Sequence, residues 1–322
     1  MNAIRKGKIM KKIDFHVHLA VFYPVEKSVA DLKAMCEKIG YETVCLQTFT
    51  HGDNHHIPWA NDAAFKVHKQ LPGSYLFAGI FHDGTSYVEQ AKKCMDMGAD
   101  GIKLLIGKPS EYRDLNVKYD DPVVDEFFTY AEQEDIPVLL HHNDPEKHWD
   151  KTRMKPENIE KGWYYDPETM PSCAWFDEEL EKMLAKHPNL RIALAHMGFY
   201  ADKLDRLTEL MEKYPKLYMD ITPALDIFED LSANPKKAEE FFRRYEDRIF
   251  YGTDAWSDLG ENEANRKYNE KKVKIVRHFL CEEGDAVIDG QFTSSISLTE
   301  EQQEKIYYYN CLRFMKKLPD ME

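Results

Sequence analysis

A repeating alternation runs the length of the chain, and few folds can accommodate it. Short apolar, β-branched runs end in polar groups, and each is followed by an amphipathic helical stretch. The strand-like runs cover 12–18, 43–49, 75–82, 101–106, 137–142, 191–196, 217–222 and 248–254. The helical patterns cover 28–40, 57–71, 85–97, 121–135, 176–187, 200–214, 234–246 and 261–283. A strand buried on both faces reads as a continuous apolar run, and a helix after each strand makes neighbours parallel. Eight such units predict an α/β fold of the (β/α)8 TIM-barrel type. Gly40, Gly98 and Gly284 stand where helices should stop, and Pro188 and Pro215 follow two more. A doubly wound sheet is the competing architecture, but it calls for a glycine-rich phosphate turn, and none is present.

Two stretches depart from the rhythm. Residues 143–175 form a long insertion after the fifth strand that carries Trp149, Trp163, Tyr164, Tyr165 and Trp175. A loop of that length is expected to be a lid or binding element, or to pack its aromatics onto the barrel. Residues 285–322 add a C-terminal extension with a further helical pattern. One domain spanning 1–322 is expected to hold all of these parts. The net charge of −14, with both signs interleaved, argues against nucleic acid or an anionic membrane as partner. No apolar run reaches bilayer-spanning length. A small-molecule substrate is the expected partner, and a homodimer is compatible. The six cysteines are scattered with no C-x-x-C pair, as suits reduced thiols in a cytoplasmic protein.

In a parallel barrel the functional groups gather at the C-terminal ends of the strands. The chain has thirteen histidines, and six fall at such ends: His16, His18, His82, His141, His142 and His196. Lys103, Asp220, Thr222 and Asp254 join them. His16-Val17-His18 places two imidazoles on one face of a strand, a spacing at which they can share a cation. Alone, each residue has a plainer role: His196 as a satisfied core histidine, Asp254 as a helix N-cap. Together they read as a divalent-metal site whose cation activates water, with Asp254 taking the proton. Strand alternation does not choose between His141 and His142.

The ordered set "IDFHVH", "GIKLL", "PVLLHHNDP", "IALAHMG" and "YGTD" resembles the amidohydrolase superfamily. The likeness is to its amidohydrolase-related branch of aminocarboxymuconate-semialdehyde decarboxylases, resorcylate decarboxylases and pyrone lactonases, and "EKIYYYNCLRFM" resembles that branch's closing helix. The resemblance implies His16, His18, His141 and Asp254 as ligands of one cation, with zinc the expected ion, and His196 as an acid/base or oxyanion partner. It favours His141 over His142. Lys103 has two readings: a carboxylated lysine bridging two metals, with His196 on the second, or a lysine that binds substrate or is salt-bridged to Asp14 or Asp220. One ion ranks above two. The expected activity is hydrolysis of a C–N or C–O bond. The alternatives are non-oxidative decarboxylation or hydration of a carboxylated ring, and a metal-binding barrel without turnover. His82, His142, Trp149 and Arg153 are the candidates for substrate contact, and His55-His56 reads as a solvated loop pair.

Overall fold

The computed structural model of the chain describes residues 10–49, 51–52, 55–224 and 226–318, with backbone alone at 51–52, 55–56 and 157. His55 and His56 therefore lie outside the described side chains. The main sheet is built from β1 (Ile13–His18), β2 (Thr43–Gln47), β3 (Tyr75–Gly79), β4 (Gly101–Gly107) and β5 (Val138–His142). It continues through β6 (Ile192–Leu194), β7 (Leu217–Asp220), β8 (Ile249–Phe250) and β9 (Ala255–Trp256). These lie in the order β8-β7-β6-β5-β4-β3-β2-β1-β9, with every pairing parallel. β8 and β9 are two parts of the eighth predicted run, one pairing with β7 and the other with β1, so the sheet closes on itself as a (β/α)8 barrel.

Helices follow the strands where the apolar periodicity places them: α1 (Val25–Ile39), α2 (Ala60–Gln70), α3 (Tyr87–Asp96), a short α4 (Pro109–Leu115) and α5 (Pro122–Gln133). The insertion holds a one-turn segment, Glu146–Trp149, and α6 (Pro156–Glu160), and then α7 (Cys173–Lys186) resumes the outer ring. The ring continues with α8 (Leu204–Lys213), α9 (Asp226–Ala233), α10 (Pro235–Arg244) and α11 (Glu263–Cys281). α1 stops at Gly40, whose φ of 78° is the left-handed geometry that a side chain would strain. Outward strand residues such as Val17, Leu46, Ile102 and Leu194 pack against these helices in the larger core.

Inside the barrel, Ile13, Phe15, Cys45, Phe77, Leu139, Ala193 and Phe250 fill the end opposite the polar mouth. The C-terminal helix plugs that end. Its parts are α12 (Glu300–Glu304), a wide turn at Lys305–Tyr309 and α13 (Asn310–Phe314). Phe314 lies 5.1 Å from Phe250 and 6.0 Å from Phe15 between ring centroids. The wide turn frees a helical carbonyl, and Tyr251 N–H donates to Ile306 O at 2.9 Å. Before this helix, β10 (Asp285–Ile288) and β11 (Gln291–Ser294) form a hairpin that hydrophobic periodicity alone does not predict. All six cysteines are free thiols. No helix among the described residues is long and apolar enough to cross a membrane.

Candidate metal centre

The strand that brings two histidines to the mouth is not regular. Its pairing with β2 shifts register between Asp14 and Val17. Phe15 fills the barrel interior, while His16 and His18 turn to the axis above it. A bulge re-aims side chains in just this way. His16 Nε2 stands 3.2 Å from His18 Nε2, and His18 Nε2 stands 2.8 Å from Asp254 Oδ1. The His16 Nε2–Asp254 Oδ1 separation is 3.8 Å. His196 brings a ring nitrogen into the same place: ligand atoms of His16, His196 and Asp254 lie within 4.8 Å of one another.

Asp220 at the end of β7 organises the cluster from below. Its Oδ2 accepts from His16 Nδ1 at 2.7 Å, and its Oδ1 accepts from the backbone N–H groups of His196 at 2.8 Å and Thr222 at 3.1 Å. Because a carboxylate accepts only, Nδ1 of His16 carries the proton and Nε2 keeps a lone pair toward the mouth. His196 Nδ1 likewise donates to Thr222 O at 3.0 Å, which frees its Nε2. Burial first, and the Lys103 charge next, push the His16 imidazole down to about 3. Burial pushes His18 down to about 4 and His141 well below the usual histidine value. Burial alone would raise Asp254, but Lys272 and His18 hold it well below the carboxylate range. Lys272 on α11 donates to Asp254 O at 3.0 Å and reaches its Oδ2 at 3.5 Å. The result is neutral imidazole lone pairs and an ionised carboxylate oxygen converging in a buried spot. That donor set fits a divalent cation.

The backbone is bent to achieve this. His196, Met197 and Phe199 have φ of 54°, 54° and 57°, and Asp254 has 58°. Such left-handed geometry in non-glycine residues is costly and concentrates at functional sites. It also corrects the sequence reading of strand ends. β6 and β8 are shorter than the apolar runs, because their last residues leave the sheet to form these turns. Gly252 is required by proximity: a Cβ there would stand 2.9 Å from both His16 Cβ and Thr222 Oγ1.

His141 stands one ring further along, 5.2 Å from His196 between centroids, and its Nε2 is 3.6 Å from Asp144 Oδ1. Lys103 lies buried within the barrel with its Nζ lacking a hydrogen-bond partner among the described residues. Burial lowers it to about 8, against the pull of Asp220 and Asp254. The alternative reading of Lys103, an ion pair to Asp14 or Asp220, does not match the structure. Asp14 is taken by Thr253, and Asp220 by His16, His196 and Thr222.

Above the cluster opens a cavity of 670 Å³ walled by His18, His141, His196, Asp254, Lys272, Phe49, Trp256 and Phe199. Lys108, Asp144, His148 and Trp163 complete its lining. Four candidate substrate contacts do not face it. His142, next to His141, points to the opposite side of β5 by strand alternation, bonded to Tyr119 OH at 2.9 Å and approaching Asp177 at 3.4 Å. His82 is held by Tyr87 OH at 3.1 Å. Trp149 donates to Pro171 O at 2.8 Å and packs beside Tyr165, Met170 and Phe176 in a small second core, so it fastens the insertion to the barrel. Arg153 is exposed and borders a separate shallow pocket beside Asp202 and Asp230. The sequence reading had no signal for Lys272 and Tyr268, which reach the cavity from an ordinary amphipathic helix.

A closed parallel barrel with nitrogen and carboxylate donors gathered at its mouth defines a class, the enzymes that work with a divalent cation held there. The chain belongs to the amidohydrolase family, whose sequence profile matches residues 13–316 under the description "Amidohydrolase". It is accordingly an amidohydrolase-related, divalent-metal-dependent enzyme. No curated protein matches it by sequence. Among solved structures it is similar to 2,6-dihydroxybenzoate decarboxylase from Rhizobium, with 16% identity, TM-score 0.60 and coverage of 96% of this chain and 99% of that one. It is also similar to 4-oxalomesaconate hydratase from Rhodopseudomonas palustris, with 14% identity, TM-score 0.56 and coverage of 95% and 96%. A third is dihydroxybenzoic acid decarboxylase from a Polaromonas species with bound manganese, at 16% identity, TM-score 0.53 and coverage of 95% and 97%. At these identities the likeness is one of fold.

Proposed function

We propose that the protein hydrolyses a C–N or C–O bond of a small molecule at the barrel mouth. His16, His18, His141 and Asp254 are the proposed holders of one cation, expected to be zinc. The observation that carries this reading is the meeting of His16 Nε2, His18 Nε2 and Asp254 Oδ1 within 3.8 Å beneath an open cavity. A divalent cation bound there supplies Lewis acidity, making water a better acid and a substrate carbonyl a better electrophile. Asp254 takes the water proton and returns it to the leaving group. His196, with its Nδ1 committed to Thr222 O, works through Nε2; it takes a proton from solvent water before the attack, donates that hydrogen bond to the developing oxyanion, and keeps the proton when the carbonyl re-forms.

A second reading is decarboxylation or hydration of a carboxylated ring. Phe49 and Trp256, stacked at 5.5 Å between centroids, and the Lys108 ammonium that also lines the cavity support it, as do the substrates named for the decarboxylase neighbours. Incubating metal-loaded protein with lactones, amides and aromatic acids separates the two. Hydrolysis products without carbon dioxide are expected, and carbon dioxide release assigns the second reading. His16→Ala and Asp254→Ala are each expected to lose bound metal and activity together; a variant that keeps both removes that residue from the site. Metal-free, inactive wild type would leave a barrel without turnover. A count of two ions that falls to one in Lys103→Ala would establish a bridging carboxylated lysine, with His196 on the second ion.

A further inference from the structure

His148 is the unexplained side chain of the cavity wall. It sits in the one-turn segment Glu146–Trp149 at the start of the insertion, 4% exposed, and lines the cavity. Neither ring nitrogen has a hydrogen-bond partner among the described residues. An imidazole with both nitrogens buried and unpaired is unfavourable unless something binds it. Its backbone is fixed on both sides: His148 N–H donates to Pro145 O at 2.8 Å, and His148 O accepts from Tyr165 N–H at 2.9 Å. The ring is thus held in place by bonds that leave its own polar atoms unused.

The surroundings say what chemistry would use them. Lys108 Nζ lies 5.5 Å from the Trp163 ring centroid, and Lys161 Nζ lies 4.9 Å from the same ring. The Trp163 ring runs near-parallel to that of His148 at 6.2 Å. Lys108 is 3.8 Å from Asp144, too long for a hydrogen bond. Asp144 is already served by the Tyr165 hydroxyl. The Lys108 ammonium therefore has donors to spare, and Lys161 adds a second positive charge at the rim.

We infer that Lys108 and His148, with Trp163 beside them, form an oxyanion-binding subsite that holds a carboxylate or phosphate group of the substrate in the cavity that the metal cluster opens into. Lys108 supplies charge, and the His148 N–H supplies a directed hydrogen bond that preorganised backbone contacts keep aimed. The specificity of the enzyme then resides in Lys108 and the insertion together, and its chemistry at the ends of the barrel strands. The inference rests on the cavity being the substrate site, as proposed above, but not on the reaction that takes place there.

The test is titration calorimetry on full-length, metal-loaded protein with benzoate, phenyl phosphate and neutral benzamide as probes. Wild type is expected to bind at least one of the two anions at least about tenfold more tightly than benzamide, and the preferred anion identifies the group. Lys108→Met and His148→Phe are each expected to weaken that anion by about tenfold and to leave benzamide unchanged. His148→Gln, which keeps a donor and an acceptor, should retain binding within about threefold. Equal anion affinity in wild type and both variants would overturn the subsite, as would equal loss for benzamide and the anions. His16→Ala separates this idea from the metal reading: anion binding that survives loss of the metal supports the subsite, whereas binding that vanishes with the metal overturns it.

Discussion

Asp220 accepts the Nδ1 proton of His16 through one oxygen and the backbone N–H of His196 through the other, so it sets a tautomer and a turn together. Asp220→Asn has only one accepting oxygen and must abandon one of these partners. Metal affinity is expected to fall about 10- to 100-fold, read by competition with a chromogenic chelator. Unchanged affinity would leave Asp220 a purely structural group. Gly252→Ala drives a methyl group toward His16 Cβ and Thr222 Oγ1, and is expected to lower metal affinity by at least about tenfold in the same assay. Glu111 makes a prediction about pH. Burial raises its carboxyl from 4.5 to about 7, so the folded state keeps a proton that the unfolded chain releases. Stability from this group therefore declines as pH rises from about 4.5 to 7, and levels off above. Glu111→Gln cannot ionise. Thermal melts should show it more stable than wild type by about 1–3 kcal/mol at pH 8, with the gap closing near pH 4.5.

At the scale of elements, the C-terminal helix begins with a reciprocal cap. Thr299 Oγ1 accepts from Gln302 N–H at 3.3 Å, while Gln302 Oε1 accepts from Thr299 N–H at 3.1 Å. Thr299→Ala should cost about 1 kcal/mol in denaturant unfolding, with the metal site intact. The barrel strands were legible in the sequence because doubly buried strands read as apolar runs of the right length. Their ends were not, since nothing in "IALAHMG" or "YGTDAW" announces that His196 and Asp254 adopt left-handed geometry. His142 illustrates the same limit from the other direction, as alternation on β5 gives one histidine to the mouth and its neighbour to Tyr119 without saying which. The hairpin of β10 and β11 did carry a signal. Asp289-Gly290, both at positive φ between paired strands, is a favoured two-residue turn. Of the aromatic insertion, the sequence showed the composition but not the division of labour. Trp149 and Tyr165 anchor it, and Trp163 meets the cavity.

Taken whole, the molecule is a ring closed by a narrow join. β1 and β9 pair through only Val17 with Ala255 and His18 with Trp256. Three backbone bonds flank that join: Phe15 N–H to Tyr251 O at 3.1 Å, Asp254 N–H to His16 O at 2.9 Å and Ser257 N–H to His18 O at 3.0 Å. His16 and His18 stand on one side of it and Asp254 on the other, so an ion shared by the three would rivet the first strand to the last. Removing it with a chelator should lower the melting temperature. Occupancy at a hundred times the dissociation constant is worth about 2.7 kcal/mol, on the order of 5 °C for a chain this size. The loss should be local before it is global. Amide exchange at positions 254 and 257 should quicken on chelation while the plugged floor around Phe314 stays protected. The cation that serves the chemistry would then also be the fastener that keeps a cylinder from reopening into a sheet.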